Sequence, residues 1–381
     1  MTGPAPVGGR IWNRFTIALA ALIGLAIVVL GARFYYGLGA VTNLNDGYPW
    51  GLWIAFDVVV GSALGAGGFT VAFMTYILNR GEYHRIIRPA LVAALFGYVQ
   101  ATLAVIIDVG RYWDVWHVIV PRYAQVNSVL FEVAVCIMSY TIVLFIEFTP
   151  VVLEKLGWTG AKRRLEKVLF FFIAIGVVLP TMHQSSLGTV LVVFGPQVDP
   201  IYQTNLLPIL FLVSCIGMGL ATVVVEGTVS ALALARPFER ELLGKLMRIG
   251  QILAATFLVA RFVDLGIRGA LPLLFTARAP AVMFWIETAL FLTPVLLLGT
   301  AASRRDPQRL FVSALTMALG GIVYRLSAYL VAYDTGTGWT YFPSMGEIVV
   351  TIGLVAAEIL AFIVVIKLLP VLPPARGAEH G

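Results

Sequence analysis

Four ionisable residues stand out because they sit where apolar sequence should exclude them: Asp57, Asp108, Glu132 and His183, on four successive apolar segments. An ionisable group in a membrane span costs about 2.5–3.5 kcal/mol on insertion scales, so each is a functional candidate. The set has the chemistry for a quinone. Reduction of a quinone takes two electrons, two protons and hydrogen bonds to two carbonyls. A histidine donates to a carbonyl and passes protons near neutrality. A buried carboxylate favours its neutral form, so it can hold and deliver a proton. Arg111, Tyr112 and Gln184 lie beside the four groups, and Gly61, Gly65, Phe56 and Tyr98 offer walls for a flat ring. The structural alternative is a bundle lock, with Asp108 and Arg111 pairing at i,i+3.

A second set of charges lies further along: Glu226, Arg261, Asp264, Glu287, Arg325 and Glu358, with Glu147 in the fourth apolar segment. The mixed signs favour paired, structural salt bridges. A proton path outward from Glu147 or Glu226, by way of Arg261, Asp264 and Glu287, is the functional alternative.

The elements that must carry these residues are membrane helices. The 381-residue chain is 60% hydrophobic and 12% charged, with a mean hydropathy of +0.92. Apolar runs of about 20 residues span a bilayer, and backbone groups in lipid are satisfied by helices. Ten spans are expected, at 14–37, 50–79, 86–109, 127–150, 167–185, 205–235, 246–267, 280–302, 308–332 and 345–369. The first run is too long for a cleavable signal and is expected to stay as a helix. Nineteen of the 26 Lys and Arg residues fall at the N-terminus, the C-terminus and the even loops. The positive-inside rule then places both termini in the cytoplasm of a bacterial inner membrane. On this count the net charge of +6 is a topology signal and not a nucleic-acid footprint. The odd loops 38–49, 186–204 and 333–344 are rich in Gly, Pro, Asn and aromatic residues. They read as ordered turns that either anchor at the headgroups or dock a partner protein.

With that numbering, Asp57, Asp108, Glu132 and His183 fall in the outer third of spans 2–5. Glu132 and Glu287 lie at matched positions of the fourth and eighth spans, which hints at two parallel four-helix bundles. The expected division is an N-terminal segment and first helix at 1–49, a first bundle with an outer-face quinone site at 50–204, a second bundle at 205–344, and a last helix and tail at 345–381. Two cysteines, Cys136 and Cys215, are too few for an iron–sulfur cluster, which takes four. The histidine count (His84, His117, His183 and His380, with only His183 in a span) leads to an expectation of no haem, on the premise of a bis-histidine site. No metal site is expected.

The runs YPWGLWIAFDVVVG (Tyr48 to Gly61), NRGEYHRIIRPALVAALFGY (Asn79 to Tyr98), IDVGRYW (Ile107 to Trp113), NSVLFEVAVC (Asn127 to Cys136) and LPTMHQSSLG (Leu179 to Gly188) resemble the NrfD, or polysulfide-reductase membrane-subunit, family, and within it the membrane subunits of the nickel–iron hydrogenase-2 type. The likeness extends to LLPVLPP (Leu368 to Pro374). It implies a ten-helix, haem-free, quinone-reactive subunit that is inactive alone. It further implies menaquinone as electron acceptor. The implied partners are a periplasmic ferredoxin-like iron–sulfur protein and the large and small subunits of a nickel–iron hydrogenase. A sulfur-metabolism or other respiratory complex is the alternative within the same class. A proton or ion transporter built from two repeats is the alternative outside it.

Overall fold

The apolar runs do form helices, ten of them long and apolar enough to cross a membrane. The computed structural model describes residues 4–234, 238–336 and 338–372. Arg236 and Arg376, two of the basic residues counted above, lie outside them. So do Thr337 and the end of the LLPVLPP run. The helices are α1 (Arg14–Tyr36), α2 (Trp53–Ile77), α3 (His84–Asp108), α4 (Val129–Lys155), α5 (Thr159–Phe194), α6 (Leu207–Ala233), α7 (Arg240–Ile267), α8 (Ala279–Leu297), α9 (Pro307–Val331) and α10 (Met345–Leu368). Among the described residues the sole β pairing is one antiparallel bridge, Val198 to Tyr333.

Local chemistry sets several of the ends. Asn13 accepts from the Phe15 and Thr16 amides, and Thr16 returns the bond to the Asn13 amide, a capping box that starts α1. Ser344 and Glu347 do the same for α10. Asp306 caps α9 ahead of Pro307. Helix α2 is irregular: its first turn, Trp53–Val58, and its last, Phe73–Ile77, are π-helical. Such wide turns cluster at functional positions, and Asp57 sits on the first.

Packing follows glycine. A Cβ on Gly219 of α6 would lie 2.3 Å from the Gly67 nitrogen of α2, and one on Gly188 of α5 would lie 2.4 Å from the Leu207 carbonyl oxygen at the start of α6. Small residues let backbones touch in a membrane, where packing replaces the hydrophobic drive between helices. Helix α2 is thereby sunk in the centre, against α3 on one side and α6 on the other. Helices α1 and α10 pack on each other, and α10 also reaches α2 and α3.

One expectation needs correction. The fifth span does not end at 185 but runs to Phe194 as one 36-residue helix. Residues 186–194, expected to be loop, are helical. His183 is therefore not at the outer end but about 16 Å inward of it, at ~1.5 Å per residue. The polar run QSSLG reads as a boundary in sequence. In the fold Gln184, Ser186 and Gly188 face protein, so the helix continues.

Candidate functional site

The four candidate groups separate into two constellations on opposite sides of α3. The first is built around His183, which is fully buried. Its Nε2 lies 2.7 Å from the Tyr98 hydroxyl and 3.2 Å from the Gln184 amide nitrogen. Gln184 donates to Ser62 Oγ at 2.9 Å and accepts from Arg325 Nη2 at 3.1 Å. Arg325 also donates to the Val59 and Phe211 carbonyls and to Ser214 Oγ. Helices α2, α3, α5, α6 and α9 thus meet at one polar knot. No described carboxylate pairs with Arg325; its N–H groups donate to hydroxyl, amide and carbonyl oxygens and to Met218 Sδ, with the Phe211 ring 5.0 Å away. His183 Nδ1 has no partner among the described residues.

Glu132 belongs to the same side. Its Oε1 accepts from Ser186 Oγ at 2.8 Å, and Ser186 is one turn from His183 on α5. Glu132 is half-buried, on the first turn of α4.

Asp57 faces the other way. It is fully buried and accepts from Gln100 Nε2 at 2.9 Å and from Thr351 Oγ1 at 3.2 Å, between α2, α3 and α10. Asp108 ends α3, with Oδ1 buried and without a partner among the described residues. The proposed Asp108–Arg111 pair is not made: Arg111 is exposed. Arg33 of α1 occupies that corner instead. It is buried and donates to the Ile107 carbonyl at 2.6 Å and the Val109 carbonyl at 2.5 Å, which caps the end of α3. Tyr112 stacks edge-on against Phe34, 4.8 Å away, under the same guanidinium.

In the second half of the chain Arg261, Glu287 and Asp264 are paired. Arg261 and Glu287 form a buried ion pair at 2.9 Å, closed by the Tyr202 hydroxyl at 3.3 Å. Rings of Tyr202, Phe284 and Tyr324 surround the guanidinium. Asp264 accepts from Thr204 at 2.8 Å and from Arg268 at 2.6 Å. Glu147 is buried against Gly176, where a Cβ would lie 2.5 Å from Oε1. It lines a cavity of ≈ 330 Å³ at the basic end with Tyr76, His84, Arg88, Lys162 and Glu166. Glu226 lines a smaller one, ≈ 70 Å³, with Arg85 and Glu239.

Sequence reasoning had Tyr98 and Gln184 only as neighbours of the site, and grouped Arg325 with the second bundle. Gln100 and Thr351 it did not single out. The available signal was a polar residue inside an apolar run, which Gln100 carries as clearly as Asp57.

The match to known proteins is broad. A family model described as polysulphide reductase, NrfD, matches residues 40–333. The chain is 43% identical to the "Probable Ni/Fe-hydrogenase 2 b-type cytochrome subunit" of Escherichia coli (strain K12), over 99% of this chain and 97% of that protein. It is 29% identical to the "Menaquinone reductase, integral membrane subunit" of Nitratidesulfovibrio vulgaris, over 88% of this chain and 86% of that protein.

These names correct one expectation. The exclusion of haem does not stand, because a relative aligned over nearly the whole chain is called a b-type cytochrome subunit. The histidine arithmetic presumed two axial histidines. Haem iron is also held by a single histidine, by Met with His, or by Tyr, so counting one histidine in the spans excludes nothing. His183 Nδ1 is the free, buried imidazole nitrogen that the described interior offers to an iron.

Proposed function

The chain belongs to the polysulphide reductase, NrfD family of multi-pass membrane proteins, and from that premise we propose that it is the quinone-reactive membrane subunit of a respiratory complex. Electrons would arrive from an iron–sulfur protein on the outer face, itself fed by a nickel–iron hydrogenase, and menaquinone would be reduced on the α3–α5 side of the chain. Both termini would be cytoplasmic. The names of the relatives, a hydrogenase subunit and a menaquinone reductase subunit, support this assignment.

One observation carries the choice of site. Glu287 is locked in an ion pair with Arg261, whereas Glu132 meets only the Ser186 hydroxyl among the described residues. Glu287 is committed to its cation; Glu132 has no cation partner among the described residues. Glu132 is therefore the proton donor of this reading, with His183 and Tyr98 one turn further in. Asp108 and Tyr112, in the Arg33 corner on the other side of α3, and the exposed Arg111 are not part of this reading. A b-type haem, if carried, would take His183 Nδ1 as ligand and supply one-electron transfer.

Glu132→Gln and His183→Ala are expected to abolish electron transfer from the outer enzyme to quinone, while the complex assembles and the outer enzyme still reduces an artificial dye. Quinone reduction at the parental rate in both assembled variants would make these residues bundle locks and move the site elsewhere.

A further inference from the structure

The directions of the hydrogen bonds at the polar knot decide where the His183 proton sits. They start at the backbone. The Ser62 hydroxyl donates to the Val58 carbonyl at 2.5 Å, so its one proton is committed. Ser62 Oγ can then only accept from Gln184, and the Gln184 atom facing it at 2.9 Å is the amide nitrogen. Arg325 fixes the same orientation from the other end. A guanidinium donates and never accepts, so the Gln184 atom 3.1 Å from Arg325 Nη2 is the carbonyl oxygen. Arg325 has no freedom to release it. Its other four N–H groups hold the Val59 and Phe211 carbonyls, Ser214 Oγ and Met218 Sδ.

With its oxygen on Arg325 and one N–H on Ser62, Gln184 has one N–H left. It faces His183 Nε2 at 3.2 Å. An amide nitrogen accepts nothing, so Nε2 must offer a lone pair. The Tyr98 hydroxyl, 2.7 Å from the same nitrogen, is then a donor as well. A neutral imidazole with a bare Nε2 carries its proton on Nδ1. That atom is buried and has no partner among the described residues. A buried donor left unmade costs about 1–3 kcal/mol, so the place beside it suits a group that brings an acceptor oxygen.

We propose that Arg325, acting through Gln184, holds His183 with its proton on Nδ1 and so presents an N–H to one carbonyl oxygen of the quinone. Arg325 and Gln184 are positioning residues; they act through His183. Presentation to a quinone rests on the reading above, whereas the placement of the proton does not. In this arrangement His183 polarises the carbonyl and keeps its proton, and protonation of the reduced oxygen falls to Glu132. The setting comes from α9, 141 residues away from Gln184 along the chain, so the packing of α9 against α5 decides what the imidazole can do.

Nitrogen NMR of the full chain in lipid vesicles, with isotope-labelled histidine, reads both ring nitrogens; His183→Gln identifies the His183 signals by their loss. In the parent, Nδ1 is expected to be protonated and Nε2 bare. Gln184→Glu keeps the bond to Arg325 as an ion pair and puts a carboxylate oxygen where the N–H was, so the proton should move to Nε2. In the intact complex the same variant should raise the KM for menadione about tenfold, the loss of one hydrogen bond, while the outer enzyme reduces an artificial dye as before. Arg325→Met frees Gln184 to turn and should show both tautomers; Arg325→Lys, which again donates to the amide oxygen, should restore the parental one. Nε2 protonated in the parent, or left bare in Gln184→Glu, overturns the inference, and the first result leaves Nδ1 open to a metal. If the proton moves as expected and the KM for menadione does not change, the quinone reading falls and the tautomer assignment stands.

Discussion

At the scale of single residues, the molecule uses the same acid type in three ways, and the neighbour decides which. Glu287 beside Arg261 is a lock, Glu132 beside a hydroxyl is a candidate proton donor, and Asp57 between an amide and a hydroxyl is held by neutral donors from two other helices. The lock makes a clean prediction. Removing one partner of a buried ion pair leaves an uncompensated charge and costs about 3–5 kcal/mol, while replacing both with apolar residues is often neutral or stabilising. Arg261→Leu should therefore lower the unfolding midpoint of the purified protein sharply. Arg261→Leu with Glu287→Leu should recover most of it. A single variant as stable as the parent would mean that the pair contributes nothing.

Among the elements, α2 is the one on which everything else is hung. Its Gly67 accepts the backbone of α6 at Gly219, its Ser62 reaches α5, its Val59 carbonyl receives Arg325 of α9, and its Asp57 reaches α3 and α10. The distances at Gly219 leave no slack, since a Cβ there would sit 2.3 Å from a backbone nitrogen that cannot rotate away. Gly219→Val is expected to push α6 off α2 and to prevent accumulation of folded protein, measured by yield and by monodispersity in detergent. Gly24, with nothing within 4 Å of its Cβ position, is the control: Gly24→Ala should be tolerated. If both variants accumulate equally, the α2–α6 contact is not the organising one.

For the molecule as a whole, the two faces are finished by different chemistry. The basic face is braced by ion pairs between helix ends and the turns beside them: Arg85–Glu239, Arg88–Glu154, Lys162–Glu154, Lys245–Glu82 and Arg305–Glu241. Such exposed pairs contribute little stability each; the basic excess matters for orientation. The opposite face is closed by amide and aromatic contacts between loops far apart in sequence. Asn43 bonds the Phe342 carbonyl, Asn45 the Thr340 carbonyl, and Trp50 the Tyr329 carbonyl. Tyr341 donates to Glu347 in the same place, and burial beside that carboxylate raises its phenol pKa. Reporter fusions should show Gly160 in the cytoplasm and Gly195 outside; the reverse would invert the proposed orientation.

The sequence by itself determined the class of molecule and its helices, because hydropathy over twenty residues is a property of composition and needs no partner. It also singled out Asp57, Asp108, Glu132 and His183, because a charge in an apolar run is costly wherever the helix later packs. What it did not determine was which of them share a space. That depends on the rotation of each helix about its axis. Tyr98 and Gln100 are two residues apart on α3, yet they face opposite sides, one to His183 and one to Asp57. Nor did it determine the length of α5, since the polar run from Gln184 reads as the end of a span, with Ser186 already in the loop, until the protein that buries them is in place. Side chains far apart along the chain, such as Asp57 and Thr351, become neighbours only through tertiary packing, and that is where one polar cluster became two.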